Sequence, residues 1–191
     1  AAFSFAQNEE TKIAAEKAGL KVLGIRSEPV AATACIDTIE AGSKVFVVDI
    51  GGGTYDTALI TYDSNLTPTL VSTEGDRKLG GDDFDKAIFE YLKNDVESQF
   101  GLNLDSQDDS GLDYAEYYKL LSTLTDCATE IKEELTQSPD VTVERNNLYT
   151  LNGVAESYST TVTIDEFNDI CSDIYKKIED RLDLSISDIV K

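Results

Sequence analysis

Apolar residues along this chain change period several times, and each change marks an element. Ala6, Thr11, Ile13, Ala14 and Ala18 suit one helical face, with Gly19 placed to close the helix in the left-handed conformation. Lys21 to Ile25 reads as a short strand. Glu28-Pro29 opens a second helix, carried by Val30 to Ile39, with proline at the first position, where its missing N–H costs nothing. Val45-Phe46-Val47-Val48 is a continuous apolar run of the kind found in buried strands, and Thr57 to Tyr62 resumes beyond three glycines with partial alternation. Together they predict a hairpin around Gly51 to Gly53. Asn65 to Thr67 makes the next turn, and Pro68 to Thr73 a further strand.

Past Gly80-Gly81 the period becomes helical. Phe84, Ile88, Leu92 and Val96 recur every four residues, with Tyr91 widening the stripe. Asn103 to Asp113, rich in Asp, Ser and Gly, reads as a solvated loop. Leu121, Leu124, Ala128, Ile131 and Leu135 then mark another helix, with Pro139 just past its end. Val141 to Val143 and Tyr158 to Val162 are strand candidates. Thr163-Ile164-Asp165-Glu166 is a capping box ahead of a stripe at Phe167, Ile170, Ile174, Ile178 and Leu182, and Ile189-Val190 would start a last strand. The pattern predicts an α/β subdomain over residues 1–80, a helix-rich α+β insertion over 81–162, and a helix over 163–191 that returns to the first part.

Composition narrows what such a fold can do. With 41% apolar residues in 191 the chain can build a core. No stretch approaches a membrane span, and Ala1-Ala2-Phe3-Ser4-Phe5 has no basic region ahead of an apolar run. The chain has no methionine and starts just before a helical pattern, which suggests a piece of a longer polypeptide. Sixteen basic against 37 acidic residues give a net charge of −21, so neither nucleic acid nor an anionic membrane is an expected partner. A polyphosphate would have to be held by local devices, namely backbone N–H groups and a divalent cation. Cys35, Cys127 and Cys171 each lie in an apolar helical pattern and read as core thiols in a reducing, cytoplasmic type of compartment. With no histidine, histidine-based triads and the usual zinc sites are excluded.

The chemistry concentrates in Asp49-Ile50-Gly51-Gly52-Gly53-Thr54-Tyr55-Asp56. A two-residue hairpin turn needs fewer glycines than three in a row. Removing three side chains lets anionic oxygens reach the backbone N–H groups, and Thr54 adds a hydroxyl at the rim. Asp49 and Asp56 place carboxylates at the same mouth, suited to a hydrated magnesium ion. The plainer alternative is a bulged hairpin with two solvated aspartates. Likewise, Glu28 could be a helix-start acid favoured by the dipole, Lys12 a solvated helix residue, and Asp82 and Asp85 caps of the following helix.

Three segments together carry a resemblance. The octapeptide from Asp49 to Asp56 looks like the second phosphate motif of the actin, sugar-kinase and heat-shock chaperone superfamily. Ser27-Glu28-Pro29-Val30-Ala31-Ala32 is similar to the Glu-Pro-Thr-Ala-Ala motif of the heat-shock protein 70 family, and Gly75-Asp76-Arg77-Lys78-Leu79-Gly80-Gly81-Asp82-Asp83-Phe84-Asp85 to its Gly-Asp-x-x-Leu-Gly-Gly-x-Asp-Phe-Asp motif. The resemblance implies an actin-like (ribonuclease H-like) ATPase fold and the second lobe of an ATP-binding, ATP-hydrolysing chaperone domain. It implies that Gly51, Gly52, Gly53 and Thr54 cradle the phosphates of ATP or ADP. Glu28, Asp49 and Asp56 would order the waters of Mg2+ and the attacking water, with Thr54 close to the γ-phosphate. Gly80 and Gly81 count with the nucleotide-binding residues.

It also implies that Lys12 relays nucleotide state toward an adjoining domain, with Asn8 where the family usually has arginine. On the helix that ends near Leu135, the family grips adenosine with glutamate, lysine, arginine and serine. Here these align with Thr129, Lys132, Glu133 and Thr136, so Lys132 and Thr136 keep the chemistry while Thr129 and Glu133 depart from it. Implied partners are the first lobe of the same domain, a peptide-binding domain, a J-domain co-chaperone and a nucleotide exchange factor. Apart from its parent, such a lobe would have negligible ATPase turnover. The departures keep a second reading open, a non-hydrolysing chaperone-like scaffold or co-chaperone. An actin-like filament protein or sugar kinase is disfavoured by the segment from Leu79 to Asp85.

Overall fold

The computed structural model describes residues 4 to 190, with side chains as far as residue 187. The opening Ala1-Ala2-Phe3 and the side chains of Ile189 and Val190 lie outside the described residues. The chain forms two compact units, Ala1–Gly80 with Ile178–Lys191, and Gly81–Lys177.

The first unit opens with α1 (Phe5–Lys17), held at its start by a reciprocal capping box. The Ser4 N–H donates to Gln7 Oε1 at 2.8 Å while the Gln7 N–H donates to Ser4 Oγ. Gly19 ends the helix at φ 85°, as its position in the sequence predicts. The expected strand from Lys21 to Ile25 does not form: residues 20 to 27 run without regular structure, and Leu23 is 89% exposed. Strand residues need a neighbouring backbone to satisfy their N–H and C=O groups, and among the described residues none lies alongside.

The expected helix from Glu28 to Ile39 is also cut short. α2 spans Glu28–Ala32 and passes into a 3-10 turn at Thr33–Cys35, and Ile36 is already extended. Thr33 explains the stop. Its hydroxyl bonds back to the Val30 carbonyl at 2.7 Å and meets the Tyr62 hydroxyl at 2.5 Å, so this side chain ties the helix end to the sheet. Cys35 is consequently exposed, against the expectation of three core thiols, while Cys127 and Cys171 are buried. Burial pushes the Cys171 thiol up to about 11, far from reactive thiolate behaviour.

Three antiparallel strands follow in the order β1 (Lys44–Ile50), β2 (Tyr55–Tyr62) and β3 (Pro68–Asp76). The hairpin forms around the glycines as the sequence predicts. The central strand β2 buries Tyr55, Ala58, Leu59, Ile60 and Tyr62, whereas β1, expected to be buried, leaves Val48 42% and Ile50 45% exposed. Its place at the sheet edge explains the difference. The far end of α7 (Ser172–Val190) returns to this sheet through two side-chain ties. Thr57 Oγ1 donates to Ser185 Oγ at 2.9 Å, and the Arg181 guanidinium pairs with Asp76 at 2.7 Å. The Lys78 backbone N–H, then Arg181, holds the Asp76 carboxyl below its ordinary value.

The second unit packs α3 (Gly81–Phe100) on α5 (Tyr114–Glu134), and α5 on the hairpin β4 (Asp140–Leu151) and β5 (Val154–Thr163). Ile88, Leu92 and Val96 of α3 meet the α5 stripe of Leu120, Leu124, Cys127, Ala128 and Ile131, all at 0% exposure. α5 starts well ahead of the predicted Leu121 because Asp113 caps it, accepting the Glu116 N–H at 2.9 Å. Inside the loop over 103–113 a short helix, α4 (Gln107–Ser110), forms on the Ser106 cap. The two strands run far beyond the predicted cores and turn at Asn152-Gly153, whose φ values of 51° and 79° are those of a primed turn.

The stripe from Phe167 to Leu182, predicted as one helix, breaks at Cys171 into α6 (Ile164–Ile170) and α7, and Ile189-Val190 continue α7 rather than starting a strand. The Thr163 capping box forms as predicted, and the Thr163 N–H and hydroxyl hold the Glu166 carboxyl below its ordinary value of 4.5. A carboxyl depressed by folding contributes stability that is present above the unfolded value and lost as pH falls through the folded one. Urea midpoints measured from pH 6 down to about pH 3 should therefore lose a small increment in the wild type that Glu166→Gln does not lose.

Candidate functional site

The site residues of the first unit are placed by the hairpin. Gly51 donates its N–H to the Thr54 carbonyl at 2.8 Å, closing the turn. Steric need within the chain does not explain Gly51, since a Cβ there would meet only Thr54, at 3.6 Å, an ordinary contact. Its bare backbone is therefore open to something outside the chain. Gly80 is the opposite case, because a Cβ there would lie 2.6 Å from the Gly52 carbonyl oxygen and 2.7 Å from that of Gly51. Gly80 therefore packs directly against the backbone of the turn, with the Gly52 carbonyl lying side-on to it, its carbon 2.8 Å from the same point. On the turn itself sit the backbone N–H groups of Gly52 and Gly53. Neither has a hydrogen-bond partner among the described residues. Two successive unpartnered N–H groups on a side-chain-free turn are the donors an anion would use, with the exposed Thr54 beside them.

Immediately behind the turn, Asp49 and Asp56 are direct cross-strand partners, and Gly75 of β3 completes the same row across the sheet. Like charges placed opposite one another oppose pairing, and a cation relieves that repulsion. Gly75 supplies the space: a Cβ there would lie 2.6 Å from Asp56 Oδ1. Sequence reasoning named Gly75 only as the first residue of a matched motif and gave it no role, although a glycine inside a strand is a recognisable sign of close approach.

Glu28, at the start of α2, joins Asp49 and Asp56 in the lining of one cavity of about 500 Å³, to which α1 adds Asn8 and Thr11 and the preceding segment Arg26. So the structure gathers the three carboxylates that the sequence reading grouped, plus three polar side chains it did not place there. Among the described residues no three acidic or thiol side chains lie close enough to ligate one metal ion directly.

The remaining expected site residues belong to the second unit. Gly81 is the first residue of α3. Lys132, on α5, is ion-paired through Nζ with Asp85 Oδ2 of α3 at 2.6 Å. Asp85 is therefore more than the helix cap it was expected to be. Thr136 lies just past the end of α5, where its hydroxyl donates to the Glu133 carbonyl at 2.6 Å. Glu133 and Thr136 are exposed, and Thr129 is half-buried.

These features can be set beside known proteins. The family model described as "Hsp70 protein" matches residues 1–190. The chain is 30% identical over 187 residues to the stromal 70 kDa heat shock-related protein, chloroplastic, of Pisum sativum, covering 97% of this chain and 25% of the pea protein. It is likewise 30% identical over 187 residues to heat shock 70 kDa protein 6, chloroplastic, of Arabidopsis thaliana, covering 97% of this chain and 24% of that protein. The chain thus spans about a quarter of the length of these relatives. A match over nearly the whole chain, joined to a mixed α/β fold with small antiparallel sheets, places it: the chain belongs to the Hsp70 family, as a fragment of that family's actin-like ATPase domain.

Proposed function

We propose that this chain is the second lobe of the ATP-binding and ATP-hydrolysing domain of an Hsp70-type chaperone. The observation that carries the reading is the side-chain-free turn with two unpartnered N–H groups, at Gly52 and Gly53, directly ahead of the opposed carboxylates Asp49 and Asp56. Phosphoryl transfer to water asks a protein mainly for positioning and charge neutralisation. The turn binds phosphate oxygens through its N–H groups, and Thr54 borders the terminal phosphate. Glu28, Asp49 and Asp56 orient water at the cavity mouth. Mg2+, when bound, supplies the charge neutralisation, and these three carboxylates hold it through its waters. Lys132 and Thr136 serve the adenosine end, and Gly80 and Gly81 the nucleotide site.

The proposal extends to the parent protein, with a first lobe, a peptide-binding domain, a J-domain co-chaperone and a nucleotide exchange factor as partners. A reducing compartment suits the buried thiols Cys127 and Cys171. The two relatives named above are chloroplast proteins by name.

Calorimetric titration of magnesium-ATP and magnesium-ADP into the full-length parent tests this reading. Both should bind, and Asp49→Ala should lower turnover about a hundredfold, the usual cost of removing one preorganised electrostatic group. The exposed Glu133 supports a second reading, a scaffold without nucleotide, since a carboxylate beside an adenine ring disfavours binding. Silence of the wild type, with binding regained by Glu133→Arg, would decide for that scaffold.

A further inference from the structure

Tyr55 opens β2 directly after Thr54, the residue whose carbonyl closes the glycine turn. Its side chain is 1% exposed and faces Ser185 and Arg181 of α7, yet its hydroxyl is shut off from solvent and has no hydrogen-bond partner. The groups around that hydroxyl are engaged with one another. Thr57, two residues along and on the same face of the strand, donates to Ser185 Oγ at 2.9 Å, and Ser185 Oγ donates to the Arg181 carbonyl at 2.9 Å. Arg181 pairs at 2.7 Å with Asp76, the cross-strand partner of Tyr55. Within this group the Tyr55 hydroxyl alone is left without a bond.

A phenylalanine would fill the same space, and an unmet hydroxyl in a core costs more than an average hydrogen bond contributes. Packing therefore does not account for the oxygen, whereas an arrangement in which it is bonded does. Ser185 can supply that bond. Its Oγ accepts from Thr57 and donates to the Arg181 carbonyl, which leaves one lone pair. Burial holds the Tyr55 phenol above its ordinary value, so the oxygen keeps its proton and can donate it there. The start of β2 needs only a small approach to α7, because Ser185 already faces the ring. That start is continuous with the turn: Thr54 alone separates Gly53 from Tyr55, and the Thr54 carbonyl accepts the Gly51 N–H. Whatever fixes the turn fixes the height of Tyr55 against α7. We propose that phosphate held at the turn brings the Tyr55 hydroxyl onto Ser185 Oγ, making Tyr55 a positioning residue that braces the occupied turn against α7. The inference rests on the nucleotide-binding reading given above and adds the side chain that answers to an occupied turn.

The test titrates magnesium-ATP by calorimetry into the full-length parent and its Tyr55→Phe, Ser185→Ala and doubly substituted variants, with a melting curve of each in the absence of nucleotide. Tyr55→Phe removes only the oxygen. It should weaken magnesium-ATP about threefold to tenfold, the strength of one hydrogen bond made only in the bound form, while the melting midpoint without nucleotide stays unchanged or rises. Ser185→Ala removes the acceptor and also the Thr57 bond, so its midpoint should fall. The double variant should bind no more weakly than Ser185→Ala alone, since a shared bond is lost only once. Unchanged affinity in Tyr55→Phe, or effects of the two substitutions that simply add, would overturn the inference and leave the nucleotide reading standing. Failure of the wild type to bind would overturn both.

Discussion

Gly80→Ala should weaken magnesium-nucleotide binding by the parent protein about a hundredfold or more, the scale on which an ångström of misplacement acts at a reacting centre. The added methyl would sit 2.6–2.7 Å from two backbone oxygens of the glycine turn. Backbone cannot swing aside as a flexible side chain can, so the turn itself must move and carry the N–H groups of Gly52 and Gly53 with it. Gly51→Ala makes the informative contrast. At that position the chain has room for a methyl, 3.6 Å from its nearest neighbours, so the thermal midpoint should stay nearly unchanged while phosphate loses its approach. Calorimetry for binding and a melting curve for folding separate the two. Normal nucleotide affinity in Gly80→Ala would show that the turn does not carry the phosphates.

Leu124→Ala should have the largest effect on stability. Leu124 is fully buried on α5, among side chains that include Leu92 of α3 and Ile131, also at 0% exposure. Truncation removes the transfer energy of three carbons and leaves a cavity that a close-packed core refills only partly, for a loss of about 2–5 kcal/mol. Chemical denaturation monitored by circular dichroism measures it. Leu23→Ala is the control. Leu23 is 89% exposed, and its loss should change stability by no more than about 0.5 kcal/mol. A change under about 1 kcal/mol for Leu124→Ala would mean that the helix pair does not pack as described.

The parts of the fold legible in the sequence are those set by local chemistry. Thr163 announces its cap, Gly19 its left-handed turn, and the glycine run the hairpin it sits in. The stripe of α3, every four residues, and that of α5, alternating three and four, required only counting, apart from Leu121, whose place in the core Leu120 takes. What stayed hidden depended on distant partners. Lys21 to Ile25 has strand composition, yet a strand is a relation between two segments, and the described residues hold no second one beside it. α2 stops short because a hydroxyl at Thr33 finds one at Tyr62, 29 residues away. The β4–β5 hairpin was underestimated because its outer stretches carry polar residues such as Glu144, Arg145 and Asn146, even though Asn152-Gly153 was in plain view as a turn signal.

The candidate site divides in the same way. Its turn and carboxylates could be read because three missing side chains and two flanking acids lie within eight residues. Gly75 and Gly80 act through space on backbone and side-chain atoms that no period in the sequence brings together. Asp85 looked like a cap because one carboxylate near a helix start usually is one, and only coordinates could show Lys132 against it.

The outer edge of β1 carries a cost of a different kind. It ends the three-stranded sheet among the described residues, with Val48 and Ile50 partly bare beside its unpaired backbone groups. An open edge of this sort is a template on which a second molecule can lay a strand, and apolar side chains make the encounter adhesive. The charge of −21 sets every copy against every other, so the acidity that argues against nucleic-acid partners also works as colloidal protection for an exposed edge.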